Sequence, residues 1–354
     1  MKRLLLYLMA MPVFCLLAAC GNDDDHVAMV NLTASDLTED GYFDGTLYYK
    51  ITSSTAKTVA VNKAETDVVS AKIPMIVNIN GTAYKCTKIS DAAFWFCQNL
   101  TAVTLPNSID TIGWDAFYGC SSLTEITIPS SVTVIDDYAF GDCEGLTRVN
   151  ISSLEAWCRI EFFLSTSNPL SYAHHLYLNG KEIKNLVIPN GITSVGKATF
   201  AGGSGFTSIT IPNSVVGIHS SAFEGCSNII GIDIPRNVTY IDDSAFKDCS
   251  RLRKVTIPDQ VTFVGGSAFF NCFQLSEVTI GSSVNEIRTF AFTLCENLTT
   301  IHCKAPVPPT SASLLRVFFD KERLADMTLC VPKGTLDAYR ASDIWGVFEN
   351  IVEE

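Results

Sequence analysis

The chain has 354 residues, of which 47% are apolar, and 37 Asp and Glu against 25 Lys and Arg give it a formal net charge of −12. This apolar content argues against a disordered chain. The excess of carboxylates argues against nucleic acid as a partner, because nucleic-acid binding depends on cationic side chains that neutralise phosphates.

The first 20 residues have the pattern of an export signal. Lys2 and Arg3 precede an apolar run from Leu4 to Leu17, which is shorter than the ~20 residues that cross a bilayer. The run ends in Leu-Ala-Ala-Cys, which matches a bacterial lipobox. We therefore predict a signal peptide over 1–19 and lipidation at Cys20, whose acyl chains would anchor the protein to a membrane.

Residues 20–40 are predicted to form a lipidated acidic tether. Asp23, Asp24 and Asp25 follow Cys20 closely, and they resemble the signal with which some Gram-negative anaerobes send lipoproteins to the outer face of the outer membrane. A solvated spacer is the alternative explanation. The leader leaves open whether the anchor faces the periplasm or the exterior, and the resemblance implies display at the cell surface.

Residues 41–88 predict an N-terminal β cap. The segments 46–51, 58–61 and 76–79 alternate like strands, and Asn80-Gly81 is typical of a hairpin turn. A solenoid needs such a cap, because its first coil would otherwise expose core residues and a strand edge.

From Ile89 onward the sequence repeats with a period of 23 residues. Eight units begin at Ile89, Ile112, Ile135, Val195, Ile218, Ile241, Val264 and Ile287. With the start as position 0, position +5 is Phe in every unit, and position +8 is Cys in every unit but one, which has Gly203. Such a period is typical of stacked coils. The fold class is thus an α/β repeat solenoid dominated by β, with repeats over 89–151 and 186–305.

Positions +13 to +16 of each unit alternate and predict a strand, with +14 and +16 facing the core and +13 and +15 facing solvent. The +15 column contains Thr104, Thr127, Asn150, Thr210, Asp233, Thr256, Thr279 and His302. A polar column of this kind could bind an extended partner. The alternative is that Thr is common there because β-branched side chains suit an exposed strand.

Aromatic residues gather at turn positions of the first units. The candidates for ligand contact are Trp95, Trp114 and Tyr118, with Phe96 and Tyr138 near them. Exposed together they would form a binding patch. We expect instead that the N-terminal cap packs over them.

Two segments depart from the period. Residues 152–185 form an insertion, after which 186–192 supply the second half of a unit whose first half is replaced; insertions in solenoids often map to loops of the binding face. Residues 306–354 predict a C-terminal cap, with a strand at 329–331, a short helix beginning at Thr335, and Trp345, Phe348 and Ile351 sealing the end.

The remaining chemistry-bearing residues predict no catalytic site. The Cys at +8 would stack with parallel side chains, which does not suit a disulfide, so we expect buried, reduced thiols. His174-His175 lack a second pair of ligands, so we predict no metal site, and no cofactor is expected.

The pattern Ile-x3-Ala-Phe-x2-Cys-x2-Leu-x2-Val-x-Ile-Pro-x2-Val resembles the BspA-type leucine-rich repeat surface lipoproteins, as do Leu154–Cys158 and Val331–Arg340. The resemblance implies a leucine-rich repeat fold and a non-enzymatic lipoprotein that adheres to host matrix or bacterial surface proteins. The alternative is a glycan-binding accessory lipoprotein that uses the N-terminal aromatic residues and the 152–185 insertion.

Overall fold

A computed structural model of the chain describes residues 29–311, 317–318, 324–343 and 345–354. The predicted signal peptide (1–19), the predicted lipidation site Cys20 and the acidic residues Asp23–Asp25 lie outside the described residues. In the described part, consecutive coils stack through parallel strands that form two rows, called here the long-strand row and the short-strand row.

The strands are numbered in chain order. From β9 onward, the odd-numbered strands lie in the long-strand row, together with β16 and β28. The other even-numbered strands lie in the short-strand row. The N-terminal cap contains β1 Val30–Leu32, β2 Leu37–Thr38, β3 Gly41–Phe43, β4 Leu47–Ser53, β5 Thr58–Ala64, β6 Ser70–Lys72, β7 Ile76–Ile79 and β8 Thr82–Ile89. The next coils contain β9 Ala102–Thr104, β10 Thr111–Ile112, β11 Glu125–Ile128, β12 Val134–Ile135, β13 Arg148–Ile151, β14 Glu161–Phe162, β15 Leu176–Leu178 and β16 Lys181–Glu182.

The later coils contain β17 Asn185–Val187, β18 Ser194–Val195, β19 Ser208–Thr210, β20 Gly217–Ile218, β21 Gly231–Ile232, β22 Tyr240–Ile241, β23 Lys254–Thr256, β24 Phe263–Val264, β25 Glu277–Ile280, β26 Glu286–Ile287, β27 Thr300–Cys303, β28 Thr328–Val331 and β29 Asn350–Glu353. Among the described residues, the α-helices are α1 Leu154–Trp157, α2 Leu170–Ala173 and α3 Leu336–Arg340, and short 3₁₀ helices cover Ala34–Asp36 and Ser165–Ser167.

The N-terminal cap begins earlier than the sequence predicted. Residues 30–38, assigned to the tether, are folded, because β1 pairs in parallel with β7 and β2 pairs with β3. The cap strand β5 pairs in parallel with β8, and β8 pairs with the first short strand, β10. The cap thereby covers the open edge of the first coil.

The 23-residue period is the register of the strand pairing. Ile112 pairs with Ile135, and Thr256 pairs with Thr279, so each residue meets its equivalent in the next coil. Identical columns of side chains therefore stack along the solenoid, which explains why the sequence pattern repeats so strictly.

Phenylalanine rings at +5 form a stack through the core. The centroids of Phe94 and Phe117 lie 4.9 Å apart, and those of Phe269 and Phe292 lie 5.3 Å apart with an interplanar angle of 1°. Each ring is buried, and burial of a Phe side chain stabilises a fold by roughly 1.5–3 kcal/mol.

Two positions of each of the eight 23-residue units adopt the left-handed backbone region. Position +3 is represented by Ala92, Asp115, Tyr138, Ala198, Ser221, Ser244, Ser267 and Phe290, and position +7 by Phe96, Gly119, Asp142, Gly202, Gly225, Asp248, Asn271 and Leu294. These turns direct backbone N–H groups along the solenoid: the N–H of Ala92 donates to the Trp114 carbonyl (2.7 Å), and that of Phe96 to the Tyr118 carbonyl (2.8 Å). Non-glycine residues tolerate this conformation here because each turn is hydrogen-bonded to the next coil.

The cysteine column is buried and reduced, as predicted; all described cysteines are free and buried. In addition, each thiol of the +8 column donates to a backbone carbonyl oxygen of the preceding coil or, for Cys97, of the N-terminal cap. The Sγ of Cys120 lies 3.1 Å from the Phe94 oxygen, and that of Cys272 lies 3.3 Å from the Phe246 oxygen.

The insertion is not a projecting loop of the solenoid. Phe162 on β14 pairs with Ile135, and Leu176 on β15 pairs with Val149, so 161–178 form a coil of their own. This coil begins 27 residues after Ile135 instead of 23, so the 23-residue alignment of the sequence does not detect it. Buried Trp157 secures this coil by donating from Nε1 to the Thr199 carbonyl at 3.0 Å.

The C-terminal cap contains the predicted strand and helix as β28 and α3, followed by β29, which was not predicted. Trp345, Phe348 and Ile351 are buried as expected. The Thr335 hydroxyl donates to the Pro332 carbonyl instead of capping α3. The Glu353 carboxylate performs that role, because it accepts from the N–H groups of Gly334 and Leu336.

Candidate binding surfaces

The long-strand row carries the predicted +15 column on its outer surface. Thr104, Thr127, Thr210, Asp233 and Thr256 are exposed, and Asn150, Thr279 and His302 are half-buried. Neighbouring members pair directly, as Thr127 does with Asn150 and Thr279 with His302. The inward neighbours, such as Val255 and Val278, are buried.

The column is not continuous. On β15 the residue that follows Asn150 in the column is Tyr177, and β16 pairs antiparallel with β15, with Tyr177 opposite Glu182. This hairpin occupies the free edge of β15. The outer surface therefore consists of an N-terminal stretch from Thr104 to Asn150 and a C-terminal stretch from Thr210 to His302.

Charged side chains of the +13 column neutralise one another between coils. The Arg148 guanidinium lies 3.7 Å from Glu125 and stacks 3.9 Å from the Tyr177 ring centroid. Lys254 and Glu277 form an ion pair of 2.6 Å. Such half-exposed pairs contribute little to stability, typically 0–1 kcal/mol. Their effect is a polar surface without a strong local charge.

A groove of about 650 Å³ adjoins the C-terminal stretch where the strands end. Arg236, Thr256, Asp259 and Lys304 line it. Two cations and one carboxylate in one groove suit the recognition of a partner's carboxylate or backbone carbonyl groups. This groove was not predicted, because its walls come from coils that are 20 to 68 residues apart in the sequence.

The aromatic residues of the first coils are exposed, so the prediction that the cap covers them was wrong. The exposed fraction is 52% for Trp95 and 49% for Trp114, and Phe96 and Tyr138 are exposed as well. Trp95 and Phe96 meet edge to face at 4.7 Å. The cap does not cover them because it stacks on the strand edges of the first coil, whereas these side chains project from the turns of the first coils.

Tyr118 is the half-buried member of this aromatic cluster. Its ring lies over Gly141 of the next coil, where an added Cβ would come within 2.6 Å of the Tyr118 ring. The Phe96 ring lies in the same way over Gly119, at 2.9 Å from the position of a Cβ. The two glycines give these rings room to lie along the solenoid.

A second groove, of about 480 Å³, lies beside the insertion. Ser171, His174, Glu224 and Asp248 are among its lining residues. His174 and His175 do not act together there: Nδ1 of His174 meets the Gly202 carbonyl at 3.0 Å, and Nδ1 of His175 meets Glu182 at 2.7 Å.

The thiols of Cys97, Cys143 and Cys158 are protonated and poor nucleophiles. Burial raises the pKa of Cys143 and of Cys158 to about 12, and that of Cys97 to about 11. A reactive thiolate would need the opposite shift, since a nucleophilic cysteine has a lowered pKa.

A β-dominated solenoid with 23-residue coils and a polar strand surface defines a leucine-rich repeat protein. The model of the BspA type leucine rich repeat region matches residues 76–168 and 173–299 in six copies. These residues exceed half of the chain, which therefore belongs to the BspA-type leucine-rich repeat family.

Two solved structures are similar in fold. One is a leucine-rich repeat protein from Bacteroides ovatus, at 23% identity and a TM-score of 0.55, covering 87% of this chain and 78% of that one. The other is the pneumococcal vaccine antigen PcpA, at 15% identity and a TM-score of 0.51, covering 88% and 97%. A comparison with curated proteins found no match. The fold is consistent with a protein-binding surface protein.

Among the described residues, no helix has both the length and the apolar character needed to span a bilayer.

Proposed function

We propose that this protein is a non-enzymatic lipoprotein that binds an extracellular protein, on host matrix or on another bacterium. The observation that carries the proposal is the exposed C-terminal stretch of the long-strand row. Its polar side chains, from Thr210 to His302, stand on strands paired in register. Of these side chains, Thr256 lines the groove together with Arg236, Asp259 and Lys304.

Such a surface suits a protein partner for physical reasons. The strands hold the outer side chains rigidly, so little backbone entropy is lost on binding. The groove offers charged donors and an acceptor for directional hydrogen bonds beside the flatter column. Many copies on one cell would strengthen weak individual contacts through multivalency.

The proposed location is the surface of a Gram-negative bacterium, with Cys20 lipidated and inserted in the outer membrane. The leader of residues 1–19 and the acidic run after Cys20 support it. The description of the similar PcpA as a vaccine antigen also supports exposure at a cell surface. Replacing Asp23–Asp25 by Ala should reduce surface labelling of intact cells, and unchanged labelling would contradict the outward display.

Glycan binding is the second candidate, favoured by the exposed aromatic cluster. The side chains of Trp95 and Trp114 are about half exposed, and amphipathic aromatic rings of this kind can cover the apolar face of a sugar. The Glu224 and Asp248 carboxylates in the second groove could accept hydrogen bonds from sugar hydroxyls.

One experiment separates the candidates. Protease treatment of intact cells tests display, and binding of the purified protein to an array of matrix proteins and glycans tests the ligand. The variant Asp233→Arg/Thr256→Arg should abolish a protein hit, whereas Trp95→Ala/Trp114→Ala should leave it intact.

Glu144→Arg/Ser130→Arg, with the same change of charge at exposed positions of other coils, serves as the control. A protein hit that survives Asp233→Arg/Thr256→Arg would refute the proposed surface. A hit confined to glycans and lost with the two tryptophans would replace protein binding by the second candidate.

A further inference from the structure

Three metal-ligating side chains meet at the C-terminal end of the long-strand row. His302 on β27 pairs in register with Cys330 on β28, and Cys330 pairs with Val352 on β29, two residues before Glu354. One donor atom from each of His302, Cys330 and Glu354 lies within 4.8 Å of the other two. The backbone N–H of Glu354 donates to the Val331 carbonyl at 3.0 Å, which holds this residue against β28.

We propose that His302, Cys330 and Glu354 form a zinc site with a coordination position open to solvent. An imidazole nitrogen, a thiolate sulfur and a carboxylate oxygen are the three donor types that Zn²⁺ binds, and three protein ligands leave a fourth, tetrahedral position free. Ca²⁺ and Mg²⁺ prefer sites built from oxygen alone, so the thiol and the imidazole exclude them.

The distances are compatible with this assignment. Zinc bonds of about 2.0–2.3 Å in tetrahedral geometry place donor atoms roughly 3.3–3.7 Å apart. Nδ1 of His302 and Oε2 of Glu354 are now 2.8 Å apart, in direct hydrogen-bond contact. Lengthening that contact by less than 1 Å would bring these two donor atoms to the separation that tetrahedral zinc requires.

Charge and access favour a divalent cation as well. A thiolate and a carboxylate with a neutral imidazole sum to −2, which a Zn²⁺ ion neutralises. Cys330 is buried beneath its neighbours, whereas His302 and Glu354 are partly exposed. An ion could therefore enter from solvent, and its free position would face outward from the strand surface. This proposal does not depend on the identity of the protein or glycan partner.

The His175–Glu182 pair provides a matched control. Its Nδ1–Oε1 distance is 2.7 Å, nearly that of His302 and Glu354, and it lies on the same row of strands. Among the described residues it does not belong to a group of three metal-ligating side chains. If an exposed His–Glu pair alone were enough to bind the metal, both pairs would therefore contribute to binding.

The test is titration of the metal-free, reduced full chain with Co²⁺, which replaces zinc and reports a thiolate ligand by a near-ultraviolet charge-transfer band. We expect a saturable band, its displacement by Zn²⁺, its loss in Cys330→Ser, and affinity weakened at least about tenfold in His302→Ala. His175→Ala should bind as the parent does. Far-ultraviolet circular dichroism verifies that each variant is folded. A parent without the band, or a band that persists in Cys330→Ser, would overturn the proposal.

Discussion

The Sγ atom of Cys143 lies 3.1 Å from the carbonyl oxygen of Phe117 in the preceding coil. The same thiol–carbonyl contact recurs between other coils, as in Cys226 to Phe200 and Cys295 to Phe269. The cysteine column is therefore not only a row of small apolar side chains. It supplies a second hydrogen bond to the +5 carbonyl groups, which already accept from the backbone N–H at +8 of their own coil.

Cys143→Ala should lower the free energy of unfolding by about 1–2 kcal/mol, because it removes the contact to Phe117 and leaves a small cavity. Urea denaturation measures the change. Ser130→Ala, at an exposed position, is the control and should change stability by less than about 0.5 kcal/mol. An equal effect of the two substitutions would contradict the proposed role of the thiol.

The exception in the cysteine column is compensated by a neighbouring residue. A Cβ added at Gly203 would lie 2.3 Å from Cε2 of Phe206, so the Phe206 ring occupies the space that Cys fills in other coils. Gly203→Cys alone should be destabilising by about 1–3 kcal/mol through overpacking. Phe206→Leu alone should be destabilising through a cavity.

The double variant Gly203→Cys/Phe206→Leu should regain much of the lost stability, with a coupling energy of about 0.5–3 kcal/mol. Urea denaturation of the parent, the two single variants and the double variant measures this coupling energy. Additive losses in the double variant would show that the ring and the missing thiol are independent.

Stability should fall at alkaline pH. Burial raises the pKa of Cys86 and Cys143 to about 12, from 9.0 for a free thiol. Between pH 9 and 12 the unfolded chain releases thiol protons that the folded chain retains, so this stabilisation is present below pH 9 and is lost as pH rises towards 12. Thermal unfolding across this range tests the slope, which Cys143→Ala should reduce. A slope unchanged by that substitution would exclude Cys143 as a contributor.

The stacked rings should dominate the stability of the later coils. Phe269 lies between Phe246 and Phe292, at 5.3 Å from each, so Phe269→Ala should cost about 3–5 kcal/mol. Phe290→Ala is the control, because Phe290 is 39% exposed in the next coil. Its cost should stay below about 1 kcal/mol. Comparable losses in the two variants would contradict the assignment of the core.

Gly119 and Gly225 both occupy position +7, with φ of 71° and 73°. Ala at either position should cost about 1–2 kcal/mol, since an L side chain is strained in this region. Only at Gly119 would the new methyl also meet an aromatic ring, that of Phe96, at 2.9 Å. Gly119→Ala should therefore change the fluorescence of the neighbouring Trp95, and Gly225→Ala should not; equal spectra would contradict the ring placement.

The interior of the coils could be predicted from the sequence because each coil repeats the last. Stacking in register places equivalent residues next to one another, so the columns of Phe and Cys in the sequence are also columns in space. The buried, reduced thiols and the inward side of the strands followed from this periodicity and from the alternation of side chains along a strand.

Features that break the period depended on the tertiary structure. The coil around Phe162 begins out of step with the repeats, and β1 pairs with β7 from more than 40 residues away. The exposure of Trp95 depended on where the cap docks, which its own sequence does not specify.

By itself, the sequence determined a capped solenoid of 23-residue coils and its polar outer column, because local repetition imposes one strand register throughout. Only the tertiary structure decided where that column is interrupted, which aromatic side chains remain in solvent, and that His302, Cys330 and Glu354 meet. His302 and Glu354 are 52 positions apart in the chain, and pairing of the last three described strands brings them together. Such a contact depends on which strands become neighbours, and no local pattern in the sequence records that.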